Sequence, residues 1–356
     1  MPHLAITNVD SHCVHHISYD IRGPDTAEHK ILFIMGLLTD GQAWDFQCGY
    51  FSKHSSSNYQ CVSFDNRGVG LSECPLERIT THKLAEDALA LCNHLQWNEY
   101  HIVGISMGGM IALELSLLAP ERCVSLSLMC THAGGITSLP VLPEAGLTTL
   151  KCFLSNSTES RIHHAMSLLY GKRTMNDPQK YKLLFEHHKR RLSTRKPPKF
   201  FGAIGQLLAV ATHYISYPQL HQLKQCKFPK LIMSGTEDKL VREINSYLLH
   251  KAIGGDFVVL DGAGHGFLVE YPDEVNMQLE QLFTRATRQR KHEHAAGKHD
   301  IDIDNSTALI PYQSQQQSLI ELMKISVRMA ADVHMKCMGD VMAHVWEGLT
   351  ARFPLP

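Results

Sequence analysis

A single serine, Ser106, stands between a strand pattern and a helix pattern. Residues 100–103 form a short apolar run rich in β-branched residues, and residues 110–119 have helical composition and stop at Pro120. A strand that passes through a tight turn into a helix is the building unit of an α/β sheet. This stretch therefore constrains the fold of the whole chain.

The turn itself reads Gly104-Ile-Ser106-Met-Gly108. Glycines two residues before and after the serine allow a turn too sharp for neighbouring Cβ atoms, so the serine Oγ is left projecting. The following helix begins beside that oxygen, and its N-terminus would stabilise an oxyanion formed there. The spacing predicts a nucleophilic Ser106; the alternative is a glycine-rich turn with an idle serine.

Strands and helices alternate on both sides of this unit. Strands are predicted from apolar runs at 30–35, 59–64, 123–130, 229–235 and 256–260, and helices at 43–53, 82–95 and 272–288. Uninterrupted apolar runs are typical of strands covered on both faces in a parallel sheet. The pattern predicts an α/β fold with a mostly parallel central sheet and helices on both faces.

The alternation breaks between residues 131 and 227. This stretch contains helical patterns at 150–153, 160–170, 179–191 and 201–213 and lacks a clear strand pattern. An all-helical insertion between two strands predicts a cap beside the carboxyl ends of the strands, where ligands bind in open α/β folds. We therefore divide the chain into a core, 1–130 with 228–284, and a helical cap, 131–227.

The C-terminal part has a different composition. Residues 285–317 are charged, then rich in histidine and glutamine, and predict a flexible linker in which His292, His294 and His299 are solvated and not zinc ligands. Residues 318–356 form a C-terminal extension whose segment 318–349 predicts an amphipathic helix. Its apolar side must be buried, either on its own core or against a partner, a second copy or a membrane surface.

Overall composition bounds the class of protein. The chain has 356 residues, 44% of them hydrophobic, and a net charge of -1, which indicates a globular protein and argues against a nucleic-acid partner. No apolar run is long enough to span a bilayer, the N-terminus lacks the pattern of a signal peptide, and the 10 cysteines contain no CxxC pair. These features predict a cytoplasmic protein with reduced cysteines.

Two residues follow strands where a nucleophilic serine would need partners. Asp238 comes just after one predicted strand and His265 just after the next. Parallel strands bring these ends to the sheet edge that carries Ser106, where a histidine base and an orienting carboxylate would complete the serine's activation. Glu237 and Asp261 compete with Asp238 for the carboxylate role, and Asp238 is preferred.

Four segments, taken in order, resemble those of α/β-hydrolase-fold enzymes with a helical cap, and the resemblance extends from about Ile17 to Phe283. The segments are Asp65-Asn-Arg-Gly-Val-Gly-Leu-Ser, Gly-Ile-Ser-Met-Gly-Gly, Gly-Thr-Glu-Asp and Gly-Ala-Gly-His. The resemblance implies a triad of Ser106, His265 and Asp238 that needs no metal and no organic cofactor.

The loop after the third strand departs from many relatives. It reads Met35-Gly36-Leu37, where they carry His-Gly. The missing histidine is mostly architectural in the family, so the loop can still offer the Leu37 backbone N–H, beside that of Met107, as an oxyanion hole.

The resemblance implies acyl transfer through a covalent serine intermediate. A serine at the turn, and not an aspartate, argues against dehalogenase or epoxide hydrolase chemistry. Apolar cap segments at 139–142 and 205–211 favour a carboxylic ester with an apolar acyl or alkyl group, such as a monoacylglycerol-like lipid. Carbon–carbon bond hydrolysis, aminopeptidase-like activity, and a non-catalytic receptor or scaffold on the same fold are the alternatives.

Several other polar residues have two interpretations. The basic run Lys189-Arg-Arg191 with Arg195, Lys196 and Lys199 is either a solvated helix end or a contact for an anionic membrane surface or head group. His132 and His213 either face the pocket or make satisfied polar contacts, and we expect the second.

Overall fold

The computed structural model describes residues 2–7, 14–53, 58–135, 157–194 and 198–295, together with residues 148, 151 and 155. The predicted helix at 318–349 and the linker from residue 296 onwards lie outside the described residues. A membrane or self-association role for that helix therefore stays a prediction.

One sheet of 8 strands forms the centre of the core, in the order β1-β2-β4-β3-β5-β6-β7-β8. The strands are β1 (His3–Thr7), β2 (Val14–Arg22), β3 (His29–Ile34), β4 (Tyr59–Phe64), β5 (Tyr100–Ile105), β6 (Cys123–Met129), β7 (Lys230–Gly235) and β8 (Asp256–Leu260). Strand β2 is antiparallel to both of its neighbours, and all pairs from β4 to β8 are parallel. The predicted mostly parallel sheet is confirmed.

Helices cover both faces of this sheet. The core helices are α1 (Asp45–Lys53), α2 (Thr81–His94), α3 (Met107–Leu118), α9 (Glu243–Ile253), α10 (Phe267–Glu270) and α11 (Pro272–Ala295). Along β3, Leu32 and Ile34 pack on the side of α2, α3 and α9, whereas Ile31 and Phe33 pack on the side of α1 and α11. Because successive strand residues point to opposite faces, an uninterrupted apolar run is what such a strand requires.

Helix α11 continues past the predicted end of the core. It runs to Ala295, so the prediction of a linker from residue 285 is wrong for 285–295. Ala286 is buried, and Arg290 Nε lies 2.7 Å from Glu99 Oε1. The charged composition of this segment therefore reflects one helix face paired with the core, and not solvated coil.

The insertion between β6 and β7 is helical where it is described. Its helices are α4 (Thr158–Leu169), α5 (Lys172–Asn176), α6 (Pro178–Thr194), α7 (Phe200–Ala211) and α8 (Tyr217–Gln225). Ile162, Met166, Tyr170 and Leu184 form a small apolar core of the cap. Within the described ranges, none of the helices has the length and hydropathy needed to cross a membrane.

Candidate active site

Ser106 occupies the turn between β5 and α3 in a strained backbone conformation. Its φ of 56° and ψ of −123° are rare for a residue with a side chain and persist only where the surroundings fix them. The Ser106 N–H donates to Met129 O at 2.8 Å, and its carbonyl accepts from Thr131 Oγ1 at 2.8 Å. Neighbouring strand β6 therefore holds the turn that presents Ser106.

The glycines around Ser106 lie where no side chain fits. A Cβ at Gly104 would approach Gly108 O to 2.2 Å, and one at Gly108 would approach Ile34 O to 2.1 Å. Both distances are far below van der Waals contact. The Gly-x-Ser-x-Gly spacing is thus a steric requirement of this turn.

His265 and Asp238 form a hydrogen-bonded pair at the same sheet edge. His265 Nδ1 lies 2.8 Å from Asp238 Oδ2, and both residues are buried. The other carboxylate oxygen, Oδ1, accepts the backbone N–H groups of Leu240 at 2.8 Å and Val241 at 2.9 Å. With Nδ1 directed at the carboxylate, Nε2 is the ring nitrogen that can take a proton.

The two competing carboxylates have other partners. Glu237 Oε2 accepts the backbone N–H of Lys172 at 2.6 Å, at the start of α5. Asp261 is exposed and forms an ion pair of 3.3 Å with the exposed Arg173. Among the three candidates, Asp238 is the one that contacts His265.

A cysteine beside this pair was not predicted from the sequence. The Sγ of Cys130 lies within 4.8 Å of ligand atoms of Asp238 and His265, and this buried trio is the one group of metal-ligand type found among the described residues. Burial raises the pKa of the Cys130 thiol well above its ordinary value, and the Asp238 carboxylate acts in the same direction. A thiol that stays protonated is a poor metal ligand.

The loop after β3 passes directly beside Ser106. Ile34 at the end of β3 pairs with Gly104 of β5, and a Cβ on Gly36 would lie 3.1 Å from Ser106 Cβ. Leu37 follows in this loop, and Met107 is the first residue of α3. The two residues predicted as backbone oxyanion donors therefore lie on the two segments that meet at Ser106.

Three hydrogen bonds fix this loop, each of 2.9 Å. They run from Asn66 Nδ2 to Met35 O, from the Leu38 N–H to Gln206 Oε1 and from the Gly41 N–H to Asp65 Oδ1. Two involve side chains of the turn that follows β4, so this turn supports the loop. The third comes from cap helix α7, and no local sequence pattern predicts it.

The cap also contacts the loop that carries His265. Glu270 is buried, and its two oxygens accept the Gly171 N–H at 3.0 Å and the Gly264 N–H at 2.9 Å. Gly171 begins the α5 segment of the cap, and Gly264 directly precedes His265. One buried side chain therefore joins the cap to the histidine loop.

His132 and His213 lie against each other near the base of the cap, with ring centroids 6.1 Å apart. His213 Nδ1 lies 2.9 Å from Thr81 Oγ1, and His132 Nδ1 accepts the Gly134 N–H at 3.0 Å. Burial lowers the pKa of His132 to about 4 and that of His213 to about 3. Each ring therefore makes one polar contact through Nδ1, whereas the buried Nε2 of His213 has no hydrogen-bond partner among the described residues.

The basic run of the cap divides into two kinds of residue. Lys189 and Arg190 are exposed at the end of α6. Arg191 is largely buried and pairs with Asp40 at 3.4 Å, while Lys199 Nζ donates to Ser72 O at 3.1 Å. Arg195 and Lys196 lie outside the described residues. Part of the run thus ties the cap to the core.

Relatives of known name match different shares of the chain. A poly(3-hydroxyalkanoate) depolymerase of Ectopseudomonas oleovorans is 26% identical over 231 residues, which are 65% of this chain and 77% of the relative. A 3-oxoadipate enol-lactonase of Acinetobacter baylyi is 35% identical over 111 residues, 31% of this chain and 40% of the relative.

Solved structures resemble the fold over most of its length. A thermophilic esterase of Thermogutta terrifontis superimposes with a TM-score of 0.63 at 21% identity, covering 80% of this chain and 99% of the esterase. An enol-lactonase of Burkholderia xenovorans superimposes with a TM-score of 0.61 at 22% identity, covering 76% and 97%. At this identity the likeness shows the fold alone.

The family assignment rests on a match that contains both halves of the core. The model of the alpha/beta hydrolase fold matches residues 31–272, a range that includes the Ser106 turn, the cap and the His265 loop. Together with the sheet order and the strained serine turn, this match shows that the chain belongs to the alpha/beta hydrolase fold family.

Proposed function

We propose that the protein is a serine hydrolase that cleaves carboxylic esters with an apolar acyl or alkyl group. The observation that carries the proposal is the buried pair of His265 and Asp238, 2.8 Å apart, at the sheet edge where the strained Ser106 turn ends β5. A serine, an oriented imidazole and a buried carboxylate are the groups that acyl transfer at neutral pH requires.

In the first step, Ser106 Oγ attacks the ester carbonyl and His265 Nε2 takes the serine proton. Asp238 keeps the imidazole in the required tautomer and stabilises the imidazolium. The carbonyl oxygen becomes an oxyanion, which the Leu37 and Met107 N–H groups stabilise. The imidazolium then protonates the departing alcohol, and an acyl-Ser106 ester remains.

In the second step, water replaces the alcohol. His265 Nε2 removes a proton from water as the oxygen attacks the acyl carbonyl, and the same two N–H groups stabilise the second oxyanion. Collapse of this intermediate returns the proton to Ser106 Oγ and releases the carboxylic acid. The enzyme is regenerated without a cofactor in the cycle.

The cap supports an apolar substrate. Helix α7 has five large apolar side chains that are between 41% and 72% exposed. They are Phe200, Phe201, Ile204, Leu207 and Leu208. Exposed apolar surface on a cap helix favours contact with ligands that carry alkyl or aryl groups. The names of the relatives, a depolymerase of poly(3-hydroxyalkanoate) and an enol-lactonase, support ester and lactone chemistry as the class to test first.

Labelling with a fluorophosphonate probe tests the nucleophile. We expect labelling of the full chain that Ser106→Ala abolishes and that the control Ser193→Ala, an exposed serine on α6, retains. Absence of Ser106-dependent labelling in folded protein would favour the receptor or scaffold alternative. A panel of p-nitrophenyl esters with increasing acyl length then defines the acyl site, and turnover of an aminoacyl amide but no ester would favour the peptidase alternative.

A further inference from the structure

The amide of Gln206 joins two loops of the core although Gln206 belongs to the cap. The side chain is fully buried in α7. Its Oε1 accepts the Leu38 N–H at 2.9 Å, and its Nε2 donates to Arg67 O at 2.9 Å. One partner is a donor and the other an acceptor, so the amide has a single orientation that satisfies both.

The residue that Gln206 contacts is itself strained. Leu38 has a φ of 57°, in the left-handed region that leucine rarely adopts. Such a conformation persists only where hydrogen bonds and packing fix it. The bond from Gln206 fixes the peptide between Leu37 and Leu38, which directly follows the peptide whose N–H we assign to the oxyanion hole.

Helix α7 has no freedom to shift on the core while this contact is made. A Cβ on Gly202 would lie 2.5 Å from Gly68 Cα, and one on Gly205 would lie 2.7 Å from Ile79 Cδ1. Together with Gln206 and Ala209, these small residues form the face of α7 that contacts the core. The seating of α7 therefore determines where the Gln206 amide lies.

We propose that Gln206 is a positioning residue that couples the cap to the oxyanion hole. With α7 seated, its amide holds the Leu37 N–H at the place where the oxyanion forms; with the amide removed, this donor loses its fixed position. The inference rests on the proposed function, because it assigns the loop a role in stabilising the transition state. Removal should therefore reduce turnover more than substrate binding.

The test compares two glutamines of the cap in the full-length protein. Gln206→Met keeps the length of the side chain and removes both hydrogen bonds. The control is Gln219→Met. Gln219 Oε1 accepts the Ser216 N–H at 2.9 Å at the N-terminus of α8, away from the catalytic loops. The readouts are kcat and KM for p-nitrophenyl butyrate, and the affinity for butylboronic acid, which forms a tetrahedral adduct on a catalytic serine.

We expect Gln206→Met to lower kcat by about 10- to 100-fold, less than the roughly 10²- to 10³-fold loss typical of deleting an oxyanion donor. KM should change less than threefold, and boronate affinity should fall in parallel with kcat. Gln206→Glu, which keeps an acceptor for the Leu38 N–H, should lose less activity and carries the test if the methionine variant does not fold. Gln219→Met should retain wild-type kcat.

Two failures are distinguishable. If the wild-type protein hydrolyses esters and labels at Ser106, but Gln206→Met has the kcat of Gln219→Met, the positioning role is wrong and the proposed function survives. Equal losses in kcat for Gln206→Met and Gln206→Glu, or a loss confined to KM, would also overturn it. If the wild-type protein neither labels nor hydrolyses esters, the proposed function fails and the inference fails with it.

Discussion

The cap contacts the core at the two loops that we propose to be catalytic, and the two contacts are built differently. At the histidine loop, the core supplies the side chain, since Glu270 accepts N–H groups from Gly171 of the cap and Gly264 of the core. At the oxyanion loop, the cap supplies the side chain, since Gln206 bonds the backbone at Leu38 and Arg67. The proposed acid–base pair therefore lies on the core alone, whereas the loop proposed to form the oxyanion hole takes one of its hydrogen bonds from α7.

The largest expected effect on activity comes from a change in the core, at Asp238. Asp238→Asn should lower kcat by about 10⁴-fold, because an amide no longer holds the His265 tautomer that accepts the serine proton. Asp261→Asn is the matched control, since Asp261 is exposed and pairs with Arg173. Ester hydrolysis rates for both variants check this. A comparable loss in the Asp261 variant would mean that the carboxylate has been misassigned.

A change at Glu270 tests whether its contact with the cap and the His265 loop also stabilises the fold. Glu270→Ala leaves the buried Gly171 and Gly264 N–H groups unpaired, and each such group costs about 1–3 kcal/mol. We expect the free energy of unfolding in urea to fall by roughly 2–5 kcal/mol, with activity reduced in the remaining folded protein. Glu274→Ala, an exposed residue on α11, is the control and should change stability by less than about 0.5 kcal/mol.

A substitution at Gly202 tests the contact between α7 and the oxyanion loop while leaving Gln206 itself unchanged. Gly202→Ala places a methyl group 2.5 Å from Gly68 Cα, so α7 must move off the core. We expect kcat to fall by about tenfold or more, while His265 and Asp238 stay paired. Comparison of kcat with the unfolding midpoint separates displacement of α7 from general unfolding.

The matched control is Gly49→Ala in α1, where an added Cβ meets nothing within 4 Å. This change should leave kcat unaltered and raise stability by about 0.5–1 kcal/mol, because alanine is the better helix former. An unchanged kcat in Gly202→Ala would show that the oxyanion loop tolerates displacement of α7, and the contrast between the two contacts would disappear.

Buried histidines make the free energy of unfolding depend on pH. Burial lowers the pKa of His101, a residue of β5 whose ring packs against Phe283, to about 3, whereas the ordinary value is 6.5. The unfolded chain therefore binds a proton first, so stability is constant above pH 6.5 and declines as the pH falls from 6.5 towards 3. One such histidine contributes a loss of about 2 kcal/mol between pH 7 and pH 5.

Urea unfolding of wild type and His101→Asn at pH 7 and pH 5 checks this. Between pH 7 and pH 5, the free energy of unfolding should fall by about 2 kcal/mol less in the variant than in wild type, whatever the variant's stability at pH 7. The same comparison for His213→Asn addresses the end of α7, where burial lowers the pKa of His213 to about 3. Identical pH sensitivity in wild type and both variants would show that these rings are protonated in the native state.

Local patterns were sufficient to predict the fold of the core and to place the candidate site residues at one sheet edge. Apolar runs gave the parallel strands, and the glycines beside Ser106 gave the turn, because both depend on residues close in sequence. Asp238 and His265 could be placed because each directly follows a strand, and parallel strands share an edge. Asp238 was preferred over Glu237 and Asp261 from the sequence, and the side-chain geometry adds the contact between Asp238 and His265.

Contacts distant in sequence could not be predicted in the same way. Gln206 is 168 residues from Leu38, and within an apolar helix it has no local sign of its role. Cys130 looked like an ordinary packing residue at a strand end. The charged end of α11 was interpreted as a linker because its partner, Glu99, belongs to a distant segment.

The two faces of α7 have a thermodynamic consequence. One face is seated on the oxyanion loop, and the opposite face exposes Phe200, Phe201, Ile204, Leu207 and Leu208 to solvent. A ligand that prefers α7 seated on the core raises the fraction of molecules in which Gln206 contacts the loop. By linkage, a transition-state analogue bound at Ser106 raises the affinity for that ligand by the same factor. Under the proposed coupling, the free energy that links such a ligand to the Ser106 site can be measured from either end.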